Sequence, residues 1–145
     1  MQDPTSTLDK LNAIVSKYKS LQRNFNDVET LIYMRKQLSC YLFDLATIVG
    51  EAFEAFKEFE YDRKYTHETE RLRIKKSQTT TLSDAEAQAA ALAAPMRKNE
   101  NAAEAMYKRL YMVHQAGNEV LQTMNQHIAN LRSEKSLEMK NQGAQ

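Results

Sequence analysis

Glycine and proline together contribute only five residues, three and two, while tryptophan is missing and cysteine occurs once. So few turn formers argue against a turn-rich all-β fold and leave no glycine-rich loop to cradle a phosphate. Cys40 has no partner for an internal disulfide. Among Leu38, Tyr41 and Leu42 it is expected to be a buried thiol in a reducing compartment. Long apolar runs are also lacking: CYLFDLATIV is broken by Asp44, well short of the roughly 20 residues that span a bilayer. The opening MQDPTSTLDK carries no basic segment followed by an apolar one, so a cytoplasmic protein with no membrane partner is expected. No excess of one charge exists, since 20 Lys and Arg stand against 19 Asp and Glu. Any electrostatic function must therefore be local.

What is there reads as helix. Among the 145 residues Ala, Leu and Met number 38 against 10 for Val and Ile. Leu, Ile, Val and Phe number 29, at the edge of what a compact core needs. A single all-α domain is expected.

Asp3 and Pro4 read as an N-cap and first helical position, and Leu8, Leu11, Val15 and Tyr18 recur at spacings of three and four. A first helix is expected from about 4 to 23. Asn26 followed by Glu29 marks a new cap, after which a second helix runs over 27–76 without a breaker. Its apolar seam is Leu38, Leu42, Leu45, Val49, Ala52, Phe56 and Phe59, alternating by four and three as in a coiled coil. Such a helix would be about 75 Å long. A compact domain of this size is only about 40 Å across. The expected fold is therefore an elongated antiparallel helical hairpin with an additional N-terminal helix.

A polar tip is expected over 77–83, with Ser83 and Glu86 forming a capping box and Leu82 its staple. The return segment, 84–140, opens with seven alanines among the ten residues from Ala85 to Ala94, a flat side that lets another helix approach. Pro95 should kink or break it, with Asn99 or Asn101 recapping the chain. Met106, Leu110, Val113, Gly117, Val120, Met124, Ile128 and Leu131 then form one stripe, and 141–145 is expected to be a disordered tail. In this hairpin residue k meets roughly residue 160−k, which puts Gly117 near Phe43, Lys108 and Arg109 beside Glu51, and Arg97 and Lys98 beside Arg63 and Lys64. Leu38, Leu42, Leu45, Val49, Phe53, Phe56, Phe59 and Gly117 are the expected seam of a homo-oligomer, since so aromatic a face exceeds what one partner helix covers.

Catalytic and metal motifs are missing. None of His67, His114 and His127 follows a glutamate by three residues, no H-E-x-x-H occurs, and neither G-x-S-x-G nor C-x-x-C organises a nucleophile. No enzyme activity, cofactor or metal is expected, and each histidine reads as a helix-surface or seam-edge residue. Glu51, Glu54, Glu58 and Asp62 share one face in a stretch, 51–62, of net charge −4, either a solvated surface or a docking strip for a basic partner.

The adjoining 63–76 has net charge +4. Arg63, Lys64, Arg71, Arg73, Lys75 and Lys76, joined across the hairpin by Arg97 and Lys98, form a candidate nucleic-acid band with Tyr61 and Tyr65 beside it. The helix dipole alone accounts for Arg73 to Lys76, since cations favour a helix C-terminus. It does not account for Arg63, Lys64, Arg97 and Lys98.

The order of features carries a resemblance. A long helix ending in ERLRIKK, a polar tip, the acidic alanine-rich LSDAEAQAAALAA and a closing YKRLYMVHQAGNEVLQTMNQHIANLRSE together resemble small bacteriophage proteins, among them the UvsY-type recombination mediators. The likeness covers roughly residues 30–135, most specifically Tyr107, Leu110, Val120, Leu121, Ile128 and Leu131. It implies a homo-oligomeric helical hub that binds single-stranded DNA and helps load a recombinase onto strands covered by single-strand-binding protein. Only the basic segment Arg71, Arg73, Lys75 and Lys76 carries over. The alternative from another class is a virion structural or assembly protein that uses the apolar seam for packing and the acidic strip for docking.

Overall fold

The computed structural model describes residues 4–21, 24–77 and 80–143. They form four helices and, among the described residues, no strand: α1 (Pro4–Ser20), α2 (Val28–Ser77), α3 (Leu82–Ala93) and α4 (Met96–Gln142). The expected cap at Asp3 and the expected end of the first helix at Arg23 lie outside the described residues, as do Gln78 and Thr79 of the tip and the last two residues of the tail. The helix of the return segment extends through Gln142, past the expected start of the tail.

Local chemistry sets the boundaries, at several points one or two residues from expectation. Asp27, not Asn26, caps α2: its Oδ1 accepts from the N–H groups of Glu29 and Thr30 at 3.1 and 3.2 Å, and Thr30 donates its hydroxyl to Oδ2 at 2.6 Å. α3 is capped by Thr81 rather than Ser83. The Thr81 hydroxyl accepts from the Asp84 N–H at 3.1 Å and donates to the Asp84 carboxylate at 2.6 Å. Pro95 breaks the return segment outright, and α4 starts at Met96, so Asn99 and Asn101 lie inside the helix instead of capping it.

The chain divides into two compact units, one of residues 1–48 with 111–145 and the other of 49–110. In the first, α1 and the opening part of α2 pack with the closing part of α4. Leu11, Leu31, Met34, Leu38, Leu42, Leu45, Ile48, Met124 and Ile128 form its buried interior. Arg35 donates to Asn125 at 3.4 Å and Leu42 abuts Gly117, so α2 and α4 run antiparallel here near the expected register. Gly117 meets Leu42 rather than Phe43, which is 75% exposed. A one-residue step turns a side chain by about 100° on a helix, enough to exchange inward for outward. The same rotation exposes Cys40, contrary to the expected buried thiol.

His127 ties α1 and the α1–α2 connection to α4. Its Nε2–H donates to the Phe25 carbonyl at 3.1 Å, and its Nδ1 faces the Tyr18 hydroxyl at 3.5 Å. Burial pushes the Tyr18 hydroxyl above its ordinary value.

The second unit holds the rest of α2, all of α3 and the start of α4. Ile74 packs on Ala85 and Ala89, and Tyr107 packs on Phe53 and Phe56 with ring centroids 5.1 and 6.4 Å apart. The apolar seam of α2 does not continue through Phe59, which is 39% exposed. After Phe56 the more sheltered positions are Glu60, Arg63, Thr66, His67, Glu70, Arg71 and Ile74, so the inward face turns polar before Ile74.

Two glycines inside long helices give opposite expectations. A Cβ on Gly117 would stand 2.5 Å from Leu42 Cδ2, whereas one on Gly50 would meet nothing within 4 Å. Gly117→Leu should therefore overpack and destabilise by about 1–3 kcal/mol. Gly50→Ala should stabilise by up to about 1 kcal/mol through helix propensity alone. Thermal melts followed by circular dichroism check both, and a rise in Tm for Gly117→Leu would contradict the packing described.

Candidate nucleic-acid interface

The eight cations of the expected band all fall in the second unit, on α2 and at the start of α4. Arg63, Lys64 and His67 of α2 and Arg97 of α4 line one open groove of about 710 Å³ with Glu68, over a floor of Ala90, Ala93 and Ala94. The small floor follows from the alanine run, and Arg97 reaches the groove because Pro95 ends α3 and restarts the chain as α4. Lys98, one residue on, is exposed and does not line it. Lys64 also borders a second, smaller hollow with Tyr61, whose ring stacks on that of Tyr65 at 6.1 Å and 16°. Both tyrosines are more than 60% exposed.

Most of these cations already have partners. Arg63 grips Glu100 through two N–H groups, Lys64 donates to Glu60 at 2.6 Å, Arg71 to Glu68 and Arg73 to Glu70 at 2.7 Å. Lys75 donates to the Thr80 carbonyl at 2.9 Å, where it satisfies backbone just beyond the end of α2. Lys76, Arg97 and Lys98 enter no ion pair among the described residues. Arg73 and Lys75 thus serve the helix end, while Arg63, Lys64 and Arg97 converge on the groove. Lys108, expected beside Glu51, pairs with Glu104 on its own helix at 2.7 Å. Glu51, Glu54, Glu58 and Asp62 are all exposed.

These contacts hold the carboxyls in their ionised form. Hydrogen bonds from Lys57 and Lys64 bring Glu60 down to about 2. Arg71 lowers Glu68, and Arg63 lowers Glu100 while Glu100 raises Arg63.

Of the expected oligomer seam, Leu38, Leu42, Leu45 and Gly117 lie inside the first unit, covered by this chain's own helices. They are core residues rather than a surface for a second copy. Val49 and Phe56 are half-buried, and Phe53 and Phe59 are 41% and 39% exposed. Two residues that matter escape sequence reasoning. Glu100 gives no local signal because its partner lies 37 positions away, and His127 gives no periodic signal for its bond to Phe25. Among the described residues no group of three or more His, Cys, Asp and Glu could hold a metal ion. No described helix is long and apolar enough to cross a membrane. No family model matches the sequence, and no curated protein or solved structure gives a significant match.

Because Glu60, Glu68 and Glu100 are held below their ordinary value of 4.5, their ionised forms favour the folded chain above that pH. That contribution should fade as pH falls below 4.5, for Glu60 down to about 2. Melts across this range should show Tm dropping, and Glu100→Gln should flatten part of the drop. An unchanged pH profile in Glu100→Gln would mean that its carboxyl is not held by Arg63.

Proposed function

We propose that this chain is a non-enzymatic nucleic-acid accessory protein that binds single-stranded DNA along α2 and the start of α4 and works as a homo-oligomer. One observation carries the reading: Arg63, Lys64 and His67 on one helix and Arg97 on another converge on a single open groove beside a stacked, exposed tyrosine pair. Helix dipoles do not call for cations from two helices in one place, whereas a strand supplies phosphates to such a groove and bases to the rings. An exposed pair such as Lys64 with Glu60 contributes little to stability, so giving it up for a phosphate costs little. Within this reading, the resemblance to UvsY-type mediators makes recombinase loading on strands covered by single-strand-binding protein the cellular role.

Exposed aromatic side chains favour a second reading, virion assembly. Phe43 is 75% exposed, and Phe53, Phe59, Tyr61 and Tyr65 also reach solvent. Such side chains suit contacts between protein copies as well as stacking on bases.

Anisotropy of a labelled oligothymidine separates the two. Affinity should fall with salt at a slope of about −0.7 per phosphate neutralised and rise with strand length. Replacing Lys64 and Arg97, which line the groove, together by alanine should weaken binding without sequence preference and flatten the slope by up to about 0.7 for each phosphate no longer neutralised. No anisotropy change at low salt and micromolar protein would favour assembly. Light scattering on a sizing column tests self-association, for which a monomer mass at tens of micromolar would be the contrary result.

A further inference from the structure

One of the cations lining the groove, Arg63, is already held by an anion that does not itself line it. Glu100 lies three residues after Arg97 on α4, and Arg63 reaches its two carboxylate oxygens through Nε and a terminal guanidinium nitrogen, the latter at 3.2 Å. The two side chains are 20% and 12% exposed, whereas Lys64 and Arg73 in their own pairs are 62% and 61% exposed. Water therefore screens this pair least among the contacts of the band. The two-pronged face that Arg63 turns to Glu100 is the face with which a guanidinium holds a phosphodiester. It cannot serve both at once.

Arg97 and Lys64 border the same groove, and its alanine floor puts no bulky side chain in the way of an incoming backbone. Building on the reading of this groove as a strand site, we propose that Glu100 is a built-in substitute for a strand phosphate, occupying Arg63 when the groove is empty and giving it up when single-stranded DNA enters. A tethered carboxylate competes at high effective concentration. A lone chain then holds DNA weakly, and tight binding requires several grooves to engage one strand.

The same oligothymidine assay compares the unaltered chain with Glu100→Gln and with Glu58→Gln, which removes an equal charge from an exposed position of α2. Glu100→Gln should bind about two- to fivefold more tightly than Glu58→Gln, the range expected for freeing a partly exposed ion pair. Adding Arg63→Gln to Glu100→Gln should abolish the gain. Equal affinities for the two single variants, or a gain that survives removal of Arg63, overturn the proposal. Circular dichroism reports whether Glu100→Gln keeps its helices; should it not, Glu100→Asp, which keeps the charge and shortens the reach, takes its place with the same expected direction. Binding by the unaltered chain without a gain in the Glu100 variant overturns the gate alone. No binding by any of the chains overturns the strand site with it.

Discussion

A shortage of bulky apolar side chains constrains everything else in this protein. With Leu, Ile, Val and Phe making up only about a fifth of the chain, long helices cannot all be paired through wide apolar seams. In the first unit the large residues are concentrated on α2, and α4 answers Leu42 with Gly117, a residue without a side chain. In the second, large residues thin out and two substitutes take over. Alanines 85, 89 and 93 are buried on α3, and between Phe56 and Ile74 the inward positions of α2 are filled by polar side chains, most of them charged.

That polar stretch links fold to function. An inward position filled by arginine needs a carboxylate, because an unpartnered sheltered charge is costly. Glu100 answers Arg63 for that structural reason, and the same pairing sets the electrostatics of the groove. Helix packing and recognition chemistry thus draw on one set of side chains. A change made to tune either will register in the other.

Periodicity revealed most of the architecture. The spacing of Leu38, Leu42 and Leu45 identified the buried face of α2, and the register near 160−k brought Arg97 to Arg63. It failed where a helix position depends on what lies across from it. Cys40 and Phe43 sit among apolar neighbours in sequence, yet both point outward, because neighbourhood along the chain is not neighbourhood on a face. Caps shifted by one or two residues since several Asn, Asp, Ser and Thr side chains compete at each end, and geometry selects Asp27 and Thr81. The carboxylate partners of Lys64, Arg71 and Arg73 stand three or four residues away on α2 itself, whereas Glu100 required the fold.

The outward-facing Cys40 has a practical consequence. It is the chain's sole thiol and is open to solvent, so a maleimide dye or nitroxide will attach once per molecule, on α2 in the first unit, away from the cationic groove in sequence. The same accessibility makes it the point at which two molecules join through sulfur when reductant runs out, a covalent dimer that would masquerade as native association unless the buffer is kept reducing.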